Sequence, residues 1–122
     1  MENYKCHITI ENQTSFHLKY VKSDLPWGKF VEGPVADILP DRVMVAFVAS
    51  GSVGPAGTEG TVWYQLGDDA NKTISIYFDI PTTPFSSNTV KVDASQPKIA
   101  AMLQGFKGSG SDEACIVRVV GG

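Results

Sequence analysis

The segment Thr73-Ile74-Ser75-Ile76-Tyr77-Phe78-Asp79-Ile80 alternates apolar and polar side chains around its middle. A strand sends successive side chains to opposite faces, so Ile74, Ile76, Phe78 and Ile80 share one face and Ser75, Tyr77 and Asp79 the other. A helix would scatter those four apolar residues around its axis, and the stretch therefore predicts a half-buried strand. The same period of two recurs near the start of the chain. Cys6, Ile8 and Ile10 alternate with His7, Thr9 and Glu11, and Phe16, Leu18 and Tyr20 alternate with His17 and Lys19. The polar residues 11–15 between these stretches predict a turn, and the two stretches a first hairpin. Residues 43–49 are apolar at every position and predict a strand buried on both faces. Residues 61–66 are β-branched and aromatic, again a strand by composition. Short strands through 89–92 and 115–120 complete the set.

Residues 98–106 fit two descriptions. Ile99, Met102, Leu103 and Phe106 fall at helical spacing, and Ala100 and Ala101 favour helix, yet Gly105 and Gly108 close the segment at once. Periodicity leaves both open. Across the chain, about eight or nine short strands punctuated every ~8–12 residues by Gly, Pro, Asn and Asp predict an all-β antiparallel sandwich or barrel. A length of 122 residues suits one domain, 1–122, able to fold without metal or disulfide. The net charge of -3 argues against a nucleic-acid partner, which calls for a basic face. No apolar run approaches the ~20 residues of a membrane-spanning helix. The stretch Met1-Glu2-Asn3-Tyr4-Lys5-Cys6-His7 offers no apolar region of the signal-peptide kind.

Patterns that carry catalysis or metals are scarce. Neighbours on a strand face opposite ways, so His7 cannot serve Cys6 as a base. His17 falls on an exposed face. No catalytic residue is assigned, and the chain is expected not to be an enzyme. Asp68, Asp69 and Asn71 offer oxygens in a turn but lack the twelve-residue calcium-loop pattern, so neither metal nor cofactor is expected. The glycines between Gly51 and Gly60 lack the Lys-Ser/Thr ending of a phosphate loop. Cys6 and Cys115 stand far from any CxxC spacing. They read either as two small buried apolar side chains or as one disulfide tying the terminal strands.

Aromatic and polar residues gather around certain turns. Pro26-Trp27-Gly28-Lys29-Phe30 places an indole in a Pro/Gly-bounded turn with a lysine two residues later. Tyr77 and Asp79 lie on the polar face of a strand that ends at Pro81, and Phe85 sits in the loop that follows. Trp and Tyr suit sites with one wet end and one apolar end. Trp27, Lys29, Tyr77, Asp79 and Phe85 are therefore the candidate lipid- or receptor-binding residues. A structural reading competes with it: Trp27 capping the core, and Asp79 satisfying turn amides.

These residues resemble the aegerolysin family. The shared pattern includes Trp27-Gly28-Lys29-Phe30, Ile38 to Pro40, Gly57-Thr58-Glu59-Gly60-Thr61 and Tyr77-Phe78-Asp79-Ile80-Pro81, followed by Ser87-Asn88. The run through Val62-Trp63-Tyr64 is similar to the bacterial branch, which includes the small component of binary insecticidal crystal proteins. The resemblance implies a single-domain antiparallel β-sandwich, with residues 98–106 as strand. It implies a non-enzymatic protein, released or stored after synthesis in the cytoplasm, that acts at target-cell membranes. Its partners would be a membrane lipid, often a sphingolipid or ceramide phosphoethanolamine, or a receptor, together with a larger pore-forming protein. A stand-alone lipid- or glycan-binding module is the alternative. Ile80 stands where fungal members carry a cysteine, and Thr82 where a tryptophan often follows the proline, which shifts weight from sphingolipid toward a protein receptor.

Overall fold

The computed structural model describes residues 4–51, 57–82 and 87–122. Ten strands appear among the described residues: β1 Lys5–Gln13, β2 Leu18–Trp27, β3 Lys29–Glu32, β4 Asp37–Ile38, β5 Val43–Ser50, β6 Thr58–Leu66, β7 Thr73–Ile80, β8 Thr89–Ala94, β9 Ile99–Gln104 and β10 Asp112–Gly121. They form two five-stranded sheets, β3-β5-β1-β10-β9 and β4-β2-β6-β7-β8. Every adjacent pair is antiparallel except β1 and β10, which run parallel. The described residues contain no helix. The fold is an all-β sandwich.

The alternation in β7 is realised as the sequence reads. Ile74, Ile76, Phe78 and Ile80 are buried, and Ser75, Tyr77 and Asp79 are half-buried on the outer face. Across the sandwich they meet the inward residues of the other sheet, with Phe47 and Phe78 ring to ring at 5.5 Å. Burying one such side chain is worth ~1.5–3 kcal/mol, and Cys6, Ile8, Ile10, Val117 and Val119 extend the same core. Tyr64, fully buried, keeps its hydroxyl satisfied by donating to the Val35 carbonyl at 2.8 Å. Burial pushes that phenol well above its ordinary range.

The first hairpin does not form. β1 pairs with β5 and β10 in one sheet, whereas β2 pairs with β4 and β6 in the other. The reason is Asn12, which is fully buried. Its Nδ2 donates to the carbonyls of Phe16 at 2.8 Å and Ile38 at 3.1 Å, and its Oδ1 accepts from the backbone and hydroxyl of Thr14. That network pins an arch from one sheet to the other where a tight turn would have kept the strands together.

The reading of residues 43–49 as buried on both faces holds only from Ala46 onward; Val43, Met44 and Val45 are exposed. The short β3 pairs only with Val48, Ala49 and Ser50 of β5, and the Val35 amide reaches the Ala46 carbonyl, leaving Val43–Val45 with β1 as their one paired strand among the described residues. Of residues 98–106, Ile99–Gln104 form strand: β9 pairs antiparallel with β10, and Ile99 is buried. Cys6 and Cys115 are buried free thiols. They lie on adjacent strands but two residues out of register, Cys6 opposite Glu113 and Ile8 opposite Cys115. Burial raises both thiols above their ordinary range, Cys115 to about 12.

Candidate functional site

One end of the sandwich gathers the end of β2, the starts of β3 and β6, and the end of β7. The chain changes sheets between Trp27, paired with Glu59, and Lys29, paired with Ser50. Gly28 is the corner. Its φ of 91° lies in the left-handed region, and a Cβ there would sit 2.5 Å from the Ser50 carbonyl and 2.5 Å from Thr58 Oγ1. Just before the corner, β2 bulges: Asp24 pairs with Thr61 and Trp27 with Glu59, so β2 spends an extra residue. Pro26 sits in that bulge, where its missing N–H costs no ladder bond. Gly60 lets the bulge lie close, since a Cβ there would meet the Asp24 carbonyl at 2.7 Å. These constraints deliver Trp27 to the rim with 59% of its surface exposed.

Beside it opens a cavity of about 290 Å³ lined by Trp27, Gly57, Thr58, Glu59, Asp79, Pro81 and Thr82. Register explains the meeting, because Trp27, Glu59 and Asp79 are direct cross-strand neighbours on β2, β6 and β7. Thr58 Oγ1 donates to the Trp27 carbonyl at 3.3 Å, and the Tyr4 hydroxyl to the Thr82 carbonyl at 3.3 Å, closing this end from the other sheet. Tyr77, one row down, donates its hydroxyl to Glu59 Oε2. That hydrogen bond, then burial and the charges of Glu59 and Asp79, pushes the phenol up to about 12. Asp79 makes no hydrogen bond or ion pair among the described residues. Burial first, and Glu59 second, lift its carboxyl above the ordinary carboxylate range. The cavity is acidic and walled on one side by Trp27, and no ion pair among the described residues compensates its carboxylates.

A second feature supports this end. Glu113 is fully buried, and its carboxylate accepts from the backbone amides of Lys107 at 2.8 Å and Gly108 at 2.7 Å and from Asn88 Nδ2 at 3.1 Å. Asn88 Nδ2 also reaches the Gly110 carbonyl at 3.1 Å. The 105–111 loop is thereby tied to the start of β8.

Of the residues singled out from sequence, Trp27 and Asp79 line the cavity and Tyr77 reaches it through Glu59. Lys29 is exposed on β3 in the other sheet and does not line it. Phe85 lies outside the described residues. Glu59, Thr58 and Thr82 went unselected. The outward parity of Glu59 on a strand opposite Asp79 was the signal that would have found it. Of the two histidines, His7 pairs with Asp112 at 2.7 Å and His17 with Asp37 at 2.9 Å.

No protein-family model matches the chain, and no curated protein sequence does. Solved structures share its architecture. Nakanori, a lipid-binding protein, superposes with a TM-score of 0.80 at 14% identity over 98% of this chain and 72% of its own. RahU, solved with a TRIS molecule, gives 0.70 at 17% identity over 99% and 96%. The chain has the aegerolysin-like β-sandwich fold. IP-1A from Alcaligenes faecalis gives 0.63 at 21% identity over 96% of this chain and 90% of its own. At these identities the likeness is one of fold, which is the fold the sequence resemblance implies.

Proposed function

We propose that this protein is a non-catalytic membrane-lipid-binding module that receives an ammonium head group, of the choline or ethanolamine kind, in the rim cavity. The observation that carries the reading is Asp79, a carboxylate unpaired among the described residues, in a cavity of about 290 Å³ beside an exposed tryptophan. An alkylammonium is attracted to an indole face and to carboxylates alike, and Asp79 and Glu59 supply two negative charges at one end of Trp27. The remaining indole surface suits the boundary between head groups and acyl chains. A lipid-binding protein of the same fold supports the reading. The non-catalytic part draws support from the cavity lining, which includes neither histidine nor either cysteine.

We further propose, on the sequence resemblance, that the module recruits a larger pore-forming protein and acts as the targeting half of a two-component toxin. Flotation with phosphatidylcholine–cholesterol vesicles, with and without ceramide phosphoethanolamine or sphingomyelin, tests the first reading. Retention should be competed by free phosphocholine or phosphoethanolamine. Equal retention on vesicles whose lipids lack an ammonium group refutes the head-group assignment. Dye release by the protein alone refutes the need for a partner.

A further inference from the structure

The outer face of the β4-β2-β6-β7-β8 sheet carries a second aromatic that the rim does not use. Trp63 lies on the outward side of β6, the middle strand. In register beside it stand Lys22 on β2, Ser75 on β7 and Asp93 on β8. Lys22 Nζ sits 4.7 Å from the centroid of the indole and covers one side of it. Trp63 also walls a cavity of about 140 Å³, completed by Thr73, Ser75, Asp93, Ala94 and Ser95. The Ser95 hydroxyl is committed, accepting from the Thr73 amide at 2.8 Å and donating to the Asn71 carbonyl at 2.7 Å. The side chains of Thr73, Ser75 and Asp93 have no hydrogen-bond or ion-pair partner among the described residues.

We propose that this cavity is a subsite for one neutral pyranose ring, a unit of a glycan. The ring of a sugar presents a flat apolar C–H face and an edge of hydroxyls. An aromatic wall takes the first, by burial and weak C–H contacts. A carboxylate accepting two hydroxyls, with Ser and Thr hydroxyls that donate or accept, takes the second. The cavity is below the ~300–1,000 Å³ of sites for drug-sized ligands, which restricts it to a single ring. Lys22 and Asp93 in one row balance each other, which favours a neutral sugar over a charged one. Glu59 and Trp63 are four residues apart on β6, roughly 13 Å, so the subsite lies beyond the rim cavity and stands independently of its assignment.

The chain has two tryptophans, so Trp27→Phe removes the rim indole and leaves Trp63 as the single indole reporter. The methyl glycosides of glucose, galactose, mannose and N-acetylglucosamine are titrated into this variant while its emission is followed, without any membrane. At least one should give a saturable change in the millimolar range, and adding Asp93→Ala or Ser75→Ala should weaken it at least tenfold with an unchanged melting curve. No saturable change with any of the four glycosides overturns the proposal, as does binding unaffected by both substitutions. Vesicles carrying glucosylceramide and, separately, an immobilised desialylated glycoprotein then distinguish a lipid from a protein carrier, with retention lost in Trp63→Ala. Because the titration uses neither Trp27 nor lipid, failure of the rim reading leaves its outcome unaffected.

Discussion

Trp27→Ala separates a rim aromatic from a core one. A tryptophan presents up to ~250 Å², and 59% of the residue is exposed, so roughly 150 Å² remains for a ligand or membrane to cover. Covering half of it at ~25 cal/mol per Å² is worth about 2 kcal/mol. That predicts a 20- to 30-fold loss of affinity, at ~1.4 kcal/mol per factor of ten. The surface already covered is about 100 Å², part of it backbone, so truncation costs the fold at most ~2 kcal/mol. A core tryptophan would cost ~3–5 kcal/mol. For a chain of this length 2 kcal/mol lowers Tm by about 8 °C. The assay is a vesicle-binding isotherm and a thermal melt on the same preparation. A mutant that binds within twofold of wild type, or melts by much more than 8 °C below it, refutes the reasoning.

Asp79 yields a prediction with a sign. Its folded pKa lies above the unfolded value, so its ionised form costs stability at neutral pH, and the cost disappears as pH falls below the unfolded value of ~3.9. Asp79→Asn should therefore raise Tm at pH 7, lose that advantage in acid, and abolish retention on vesicles bearing ammonium head groups; a Tm advantage that persists in acid contradicts it. Glu113→Ala should cost at least about 1–3 kcal/mol in urea unfolding, because two backbone amides and an asparagine lose their acceptor inside the protein. An unchanged midpoint would contradict that account. Cys6 and Cys115 should stay unlabelled by a thiol reagent until denaturant is added, since burial suppresses the thiolate of both; rapid labelling of the native protein would overturn it.

Strand identity was legible wherever one face of a segment meets the core, because period-two alternation records that asymmetry. β7 and β1 are read correctly for this reason. Partner choice was not legible. The arch after β1 depends on Asn12 reaching Phe16 and Ile38, and Ile38 lies 26 residues away. A polar run of five residues looks the same whether it turns within a sheet or crosses between sheets. The exposed start of β5 has a similar origin, since burial there depends on the length of β3. At the site, Trp27 and Asp79 were legible as an exposed-looking aromatic and an outward carboxylate. Lys29 stands apart from them because Gly28 turns the chain into the other sheet between neighbours in sequence. Glu59 became visible only once the register set it between Trp27 and Asp79.

The parallel pairing of β1 with β10 also has a mechanical meaning. The nine register pairs from Lys5 opposite Asp112 to Gln13 opposite Val120 join the first and last described strands side by side. Two parallel strands pulled from the start of one and the end of the other slide along each other. A pull applied that way loads the whole ladder in shear, and the evenly spaced bonds of a parallel pair share it instead of opening one after another. The sandwich should resist tension through its two ends far better than tension applied across the open edges at β3 or β8, where strands can peel singly.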